Sequence, residues 1–260
     1  MADFSTSELD QLIGHFDFAY QHSRPTTPTV AISSCLNGDA VRYDGQRKSF
    51  SAINLLKDYL QFCNICPEVG AGMPVPRPPV QLVRQDQQQL RVLEKNNPQV
   101  DVSQRLERFS EQSQRQFPKE IVGYIFQSKS PSCGINSTPI FNQNNESIAI
   151  GSGIQAAYFL KTMPHLAFAD EQQLADQKRC DQFIFLCFLL QDLSTAISEQ
   201  GLEKTHRHYD FLISRFSSQQ QRQLIQALKN QTPASYSLLF KQAAEVLIYR
   251  GDFNLESLKR

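Results

Sequence analysis

The chain has 260 residues, of which 40% are hydrophobic and 20% are charged, and its 26 basic side chains balance its 26 acidic ones. This composition is typical of a globular protein, and it excludes a disordered chain, a fibrous chain and a uniformly cationic nucleic-acid-binding protein. The longest uninterrupted apolar run, residues 183–190, is far shorter than the roughly 20 residues of a membrane-spanning helix, so we expect no membrane partner.

The N-terminal segment, residues 1–28, is predicted to be a helical extension. Its first residues are acidic and lack the basic and then apolar layout of a signal peptide, so we expect a cytoplasmic protein. Ser5 and Glu8 have the spacing of a capping box, and apolar side chains follow with helical periodicity. Residues 29–33 (TVAIS) are β-branched or apolar and precede turn-forming residues, which predicts a strand.

Helix and strand patterns alternate in the segment that follows. The predicted elements, in chain order, are a helix over 51–62, an extended segment over 64–69, a proline-rich loop over 70–79, a hairpin over 81–94, a helix over 102–117 capped by Asp101, and a strand over 121–126. Strands that alternate with helices indicate βαβ units. We therefore predict an α/β domain over residues 29–195, with a Rossmann-like, mainly parallel sheet and helices on both faces.

Beyond residue 170 the strand patterns stop. The remaining periodicity predicts helices over 171–193, 203–216, 219–229 and 234–249. This change predicts a small, all-helical C-terminal region over residues 196–260.

Three of the six cysteines stand in loops next to Gly or Pro rather than in periodic apolar segments. These are Cys35, Cys66 and Cys133, and their placement favours binding of a metal centre over packing. Cys35 and Cys133 each follow a predicted strand, and parallel α/β sheets bind ligands at the carboxyl ends of their strands. Three protein ligands would leave one position of a metal centre open to substrate. Cys180 and Cys187, seven residues apart on one predicted helix, are expected in the core.

Five ordered motifs resemble the thiouracil desulfidase family. They are residues 35–38 (CLNG), 41–45 (VRYDG), 66–69 (CPEV), 75–79 (VPRPP) and 128–134 (SKSPSCG). The resemblance covers about residues 29–165, and it implies an oxygen-sensitive [4Fe-4S] cluster held by Cys35, Cys66 and Cys133. The fourth iron would be free to take the thiocarbonyl sulfur of the substrate. The resemblance also implies that Glu68 and Ser132 are the catalytic acid–base residues.

The chemistry of such a site agrees with these residue types. Replacement of a C=S sulfur by oxygen needs a thiophile for the sulfide, a water that attacks the carbon, and groups that move protons. Arg42, Arg77 and Lys129 lie inside the motifs and could bind an anionic nucleotide or a tRNA phosphate. The two arginines could instead form ion pairs that hold the loops, with Asp44 as one partner. Tyr43 could stack on a pyrimidine or simply pack.

The C-terminal region bears on the substrate. Fused members of the family carry an extra helical domain and resemble enzymes that remove sulfur from 4-thiouridine in tRNA. Residues 204–209 (KTHRHY) are faintly similar to the start of that domain. His206 and His208 are two apart and point to different sides of a helix, so no shared metal is expected there. The substrate therefore stays open between a free thiouracil base, a thiouridine nucleotide and tRNA, and the sequence carries no indication of the oligomeric state.

Two alternative functions also stay open. Cys63 and Cys66 have the CxxC spacing of a thiol redox protein or of a zinc site. The chain could equally be a noncatalytic iron–sulfur or metal sensor whose helical tail binds a partner.

Overall fold

The computed structural model of the protein describes residues 7–15, 18, 27–48, 50–85 and 89–249. Ser5, the predicted cap of the first helix, lies outside these residues. The strands are β1 (Thr29–Ser33), β2 (Gln61–Ile65), β3 (Val80–Arg84), β4 (Leu90–Glu94), β5 (Ile121–Phe126), β6 (Thr138–Phe141), β7 (Ser147–Gly151) and β8 (Ala167–Asp170). The helices are α1 (Ser7–His15), α2 (Ile53–Tyr59), α3 (Pro67–Gly70), α4 (Ser103–Gln116), α5 (Ile154–Thr162), α6 (Gln177–Gln200), α7 (Leu202–His208), α8 (Asp210–Ile213), α9 (Ser218–Lys229) and α10 (Pro233–Ile248).

The central sheet is parallel throughout, with strand order β2-β1-β5-β8. Every residue of β5 is buried, as a strand must be when helices cover both faces of its sheet. The side chains of α1, α2 and α6 pack in one apolar cluster on one face, and those of α4 and α5 pack in a second cluster on the other. The predicted α/β fold with a mainly parallel sheet is confirmed.

A second sheet has the order β4-β3-β6-β7. The antiparallel pair β3 and β4 is the predicted hairpin, whereas β6 and β7 were not predicted. Leu82, Val92 and Ile140 from this sheet pack with Leu106 of α4 in a third apolar cluster. Helix α4 therefore contacts both sheets, since Phe109 of the same helix packs in the second cluster.

Two predicted boundaries between residues 51 and 70 are wrong. The helix predicted over 51–62 is limited to α2, because Leu60 is extended and residues 61–65 pair with β1 as a parallel strand. The segment predicted as extended over 64–69 instead turns into α3 after Cys66. Pro67 lies in the first turn of α3, where its missing N–H costs no helical hydrogen bond.

Helix α6 runs through the predicted domain boundary at residues 195–196. It begins after Asp176, whose side chain accepts a hydrogen bond from the backbone of Arg179, and it ends at Gly201. Its buried side chains belong to one apolar cluster that reaches from β1 and β5 to α10. The division into an α/β domain and a helical region stays a prediction, while the core itself is continuous across it.

In the described part of the chain, α6 is the one helix that could cross a membrane by its length and composition. However, 72% of its apolar window is buried inside the protein. Burial of this extent is usual for a core helix of a globular protein.

Candidate functional site

A cavity of about 460 Å³ opens at the carboxyl ends of the central strands. Cys35, Cys66 and Cys133 all line it. Cys35 lies in a 3-10 turn directly after β1, Cys66 follows β2, and Cys133 is in the loop after β5. Because these three strands are neighbours in the sheet, residues far apart in sequence meet at one edge, as the sequence predicts.

The three thiols are close enough to influence one another electrostatically. Burial raises the pKa of Cys35 to about 12, and negative charge on Cys66 is the next cause. Burial also raises the pKa of Cys133 well above its ordinary value, and charge on Cys66 and on Cys35 raises it further. Burial raises the pKa of Cys66 as well. Such thiols become stable thiolates when a cationic metal centre lies among them.

The donor set fits a cluster better than a single ion. Within the described residues, no three His, Cys, Asp or Glu side chains are grouped closely enough to hold one metal ion. An iron–sulfur cube separates its thiolate ligands more widely than a single ion does, and it needs a cavity beside them. Two buried cysteines, Cys35 and Cys133, and the half-buried Cys66 around one cavity satisfy both requirements.

Glu68 lies in the first turn of α3, two residues after Cys66, and its carboxylate is held at both oxygens. Arg77 donates from Nε to Oε2 at 2.7 Å, and Ser132 donates from its hydroxyl to Oε1 at 2.9 Å. Arg77 also donates to the backbone carbonyls of Pro74 and Val41, so all three of its nitrogens are engaged. Glu68 therefore presents a fixed carboxylate at the cavity wall.

The loop that carries Ser132 and Cys133 is shaped by its own hydroxyl groups. The Ser130 hydroxyl accepts hydrogen bonds from the backbone N–H groups of Ser132 and Cys133. The first residues of α5 donate to loop carbonyls, with Ile154 bonding to Pro131 at 3.1 Å and Gln155 to Ser132 at 2.9 Å. These hydrogen bonds hold the loop against the first turn of α5.

The other predicted site residues also reach the cavity. Arg42 lies 3.5 Å from Asp44 and 5.7 Å from the ring of Tyr43, so the predicted ion pair forms. Tyr43 is 44% exposed and lines the cavity beside Lys129. Arg77 is buried in the wall, where it binds Glu68 rather than Asp44. The substrate contacts of Arg42, Tyr43, Arg77 and Lys129 remain predictions.

Several residues of this site were not found from the sequence. Lys48, Lys95 and Phe141 line the cavity; Lys95 directly follows β4, and Phe141 is the last residue of β6. Buried Glu171, directly after β8, accepts hydrogen bonds from the backbone N–H and the hydroxyl of Ser128, and lies 3.6 Å from Lys48. The asparagine-rich turn at 142–145 between two short apolar runs would have indicated the hairpin that carries Phe141.

Cys63, Cys180, Cys187 and His206 lie outside the cavity. Cys63 directly follows the helix predicted over 51–62, but in the structure it lies on β2 and packs against the apolar cluster of α4 and α5. Only burial raises its pKa, and it does not line the cavity. Cys180 and Cys187 are in the core as predicted. The ring of His206 bonds to the hydroxyl of Tyr236 at 2.9 Å.

Comparison with known proteins identifies one family model and one similar solved structure. The family model of the 2-thiouracil desulfurases matches residues 30–171, more than half of the chain. A similar solved structure is described as a [4Fe-4S]-dependent thiouracil desulfidase, TudS. It is 30% identical, the match covers 57% of this chain and 93% of that chain, and the TM-score is 0.45. Among curated proteins, none matches the chain significantly.

Proposed function

Because the chain belongs to the 2-thiouracil desulfurase family, we propose that it removes the sulfur atom of a thiolated uracil ring and releases it as sulfide. The observation that carries this proposal is the meeting of three cysteines and a fixed carboxylate in one cavity. Cys35, Cys66 and Cys133 would hold a [4Fe-4S] cluster. When bound, that cluster supplies a thiophilic iron with a position open to the substrate sulfur.

Glu68 is suited to activate the attacking water. Its two oxygens are fixed by Arg77 and Ser132, and fixed geometry is what a general base requires. Ser132 is fully buried and bonded to Glu68, which supports an orienting role for its hydroxyl. In the proposed hydrolysis the water oxygen forms a new C–O bond, the C–S bond breaks, and both protons of water pass to the sulfur. The products are a uracil ring and hydrogen sulfide, with no net oxidation or reduction.

The charges around the cavity favour an anionic form of the substrate. The cationic lining residues are Arg42, Lys48, Arg77, Lys95 and Lys129, against Glu68 as the acidic one. A phosphate on a thiouridine nucleotide, or on 4-thiouridine in tRNA, would find several cations there. Tyr43 and Phe141 supply aromatic rings on which a pyrimidine could stack.

The test is anaerobic reconstitution with iron and sulfide, followed by turnover. We expect a brown protein, loss of the thiouracil absorption band and release of one sulfide per ring. Glu68→Gln should lower kcat by about 10² to 10⁴-fold with the cluster retained. Glu111→Gln, at an exposed glutamate on α4, is the matched control. Full turnover of the Glu68→Gln protein would exclude Glu68 from the mechanism. A wild-type protein that holds a stable cluster but turns over no thiouracil would indicate the noncatalytic sensor.

The form of the substrate is tested by comparing free base, nucleotide and tRNA as substrates at several salt concentrations. Phosphate contacts weaken steeply with salt. A KM for the nucleotide or tRNA that rises with salt, while that of the free base stays constant, supports binding of a phosphate by the cavity cations. Equal KM values for base and nucleotide would contradict it.

A further inference from the structure

Glu171 is a buried carboxylate that connects separate segments of the cavity wall. The residue directly follows β8 and is 6% exposed. Both of its oxygens accept hydrogen bonds from Ser128, Oε2 from the backbone N–H at 2.7 Å and Oε1 from the hydroxyl at 2.6 Å. Oε1 also lies 3.6 Å from the ammonium of Lys48. Because Ser128 and Lys48 both line the cavity, Glu171 holds two parts of its wall.

The backbone is fixed on both sides of the pair of Glu171 and Lys48. The carboxylate of Asp170 accepts hydrogen bonds at 3.0 and 2.9 Å from the backbone N–H groups of the two residues after Glu171, which sets the turn that follows β8. The backbone N–H of Lys48 donates to the carbonyl oxygen of Cys35 at 3.1 Å. Lys48 is therefore anchored beside a cysteine of the proposed cluster.

The charge of Lys48 is compensated, but its hydrogen-bond donors are not used. Pairing with a cation offsets the cost of burying a carboxylate, and within the described residues Lys48 is the only cation that pairs with Glu171. Their separation of 3.6 Å is longer than a hydrogen bond, and no described atom accepts a hydrogen bond from the ammonium. Because the side chain of Lys48 is 34% exposed, its N–H groups are accessible to a ligand in the cavity.

The chemistry of an ammonium limits what Lys48 can bind. Lys95 and Lys129 also line the cavity, and in the described part of the chain neither forms an ion pair, so their uncompensated charge suits a phosphate. The charge of Lys48 is balanced by Glu171, which suits a neutral acceptor. An ammonium donates hydrogen bonds and accepts none. On the neutral ring of a monothiolated uracil, the acceptors are the sulfur, which the open iron would take, and the remaining carbonyl oxygen.

We propose that the Lys48 ammonium donates a hydrogen bond to the remaining carbonyl oxygen of the thiolated uracil ring, and that Glu171 is the positioning residue that holds Lys48 in place. The inference rests on the proposed function, because it needs that substrate. Lys48 then determines specificity, since a site built to bond a substrate oxygen discriminates against an analogue that lacks it. The oxygen does not react, so the contact is equal in the bound substrate and the transition state and contributes to KM rather than to kcat.

The first experiment measures KM and kcat of the reconstituted proteins with 4-thiouracil. Lys48→Met should raise KM by about 10- to 100-fold and leave kcat within about twofold, as expected for loss of a hydrogen bond from a charged donor. Lys48→Arg keeps a cationic donor and should restore most of the binding. Lys57→Met, at an exposed lysine on α2, is the matched control and should change neither constant. An unchanged KM of Lys48→Met would overturn the inference.

Two comparisons identify the group that Lys48 contacts. Pyrimidine-4-thione lacks the ring oxygen, so its inhibition constant as a competitor of 4-thiouracil should be the same for the wild type and Lys48→Met. The nucleotide of 4-thiouridine has the same ring and adds a phosphate, so its KM should rise by the same factor as that of the free base. Weaker binding of pyrimidine-4-thione to Lys48→Met would overturn the inference. A rise in KM confined to the nucleotide would also overturn it and would assign Lys48 to the phosphate.

A double-mutant cycle tests the role of Glu171. Glu171→Gln keeps an oxygen and a nitrogen that can bond to Ser128 but removes the charge beside Lys48, so it should raise KM, whereas Glu111→Gln, at an exposed glutamate on α4, should not. The double variant should have the KM of Lys48→Met alone, because the two residues act through one contact. Effects on KM that multiply would overturn the positioning role.

The failures of this inference and of the proposed function are distinguishable. Iron content and melting temperature are measured for every variant, which separates loss of substrate binding from loss of the cluster. If Glu171→Gln takes up no cluster, the KM of Lys48→Met still decides the inference. A reconstituted wild type without turnover contradicts the proposed function, whereas an active wild type with the same KM as Lys48→Met contradicts this inference alone.

Discussion

Arg77 shows how a single side chain can organise a site through the groups that it holds. The sequence places it among cations suited to bind phosphate, yet its nitrogens bond to Glu68 and to the carbonyls of Pro74 and Val41. It thereby ties the proline-rich loop to both α3 and the loop after β1. The carboxylate of Glu68 depends on this arginine for its position.

We predict that Arg77→Met lowers kcat by about 100-fold, because a small displacement of a catalytic group has an effect of that size. It should also lower the free energy of unfolding by about 1.5 to 3 kcal/mol through loss of a charged hydrogen bond. Arg91→Met is the control, since Arg91 lies 3.8 Å from Asp101 on the surface, and such pairs contribute about 0 to 1 kcal/mol. Steady-state kinetics and urea unfolding measure both effects. If Arg77→Lys retains the wild-type kcat and the wild-type free energy of unfolding, a single positive charge suffices and the several hydrogen bonds of the guanidinium group are unimportant.

For individual residues, the sequence predicts which side chains carry the chemistry better than it predicts which residues they contact. Cys35, Cys66 and Cys133 are recognisable because loop cysteines beside Gly or Pro have a local pattern. Glu171 and Lys48 have no such pattern, since a buried carboxylate that organises Ser128 depends on contacts between residues more than forty positions apart.

Among the elements, the junction between the cysteine loop and α5 leaves no space for a side chain at Gly153. A Cβ on Gly153 would lie 2.6 Å from the backbone carbon of Ser132 and 2.7 Å from the oxygen of Pro131. These are backbone atoms of the loop that presents Cys133, and they cannot rotate away. A side chain at this position must push the loop off the helix.

We predict that Gly153→Ala displaces the loop and lowers the iron content per chain after reconstitution, at a cost of about 1 to 3 kcal/mol in stability. Gly14→Ala is the control, because a Cβ there meets nothing within 4 Å and the residue lies on an exposed part of α1. Iron and acid-labile sulfide analysis, together with thermal melting, measures the outcome. Equal iron content in Gly153→Ala and the wild type would show that the loop tolerates the shift.

Elements with strong local patterns were predicted, and those defined by pairing were not. The apolar run at 121–126 and the periodicity of 102–117 predict β5 and α4 directly. β2 is different, because 61–65 continues an apolar helical pattern and becomes a strand only by pairing with β1. The residues of β6 and β7 are short runs whose strand character depends on pairing with each other and with β3.

In the whole molecule, α6 connects the two regions, residues 29–195 and 196–260, that the sequence predicts as separate. Its buried side chains share one apolar cluster with the central strands and with α7 to α10, and Lys241 of α10 lies 5.6 Å from the ring of Phe168 on β8. We expect a continuous core of this kind to unfold as one cooperative unit. The cavity at the sheet edge therefore depends for its stability on helices that do not line it.

We predict that Phe240→Ala, in α10, destabilises the strands that carry the cysteines as much as the helices around it. Phe240 is 0% exposed and packs against the rings of Tyr209, Phe216 and Tyr236, so its truncation should cost about 3 to 5 kcal/mol. Val246→Ala, at a position of the same helix that is 48% exposed, is the control and should cost less than about 0.5 kcal/mol. Hydrogen exchange of the slowest amides in β1 and β5 distinguishes one continuous core from two regions that fold independently. If the core is continuous, Phe240→Ala lowers the free energy of exchange of these strand amides by the full cost of the substitution. If the strand amides instead keep wild-type protection while the C-terminal helices lose theirs, the two regions fold independently.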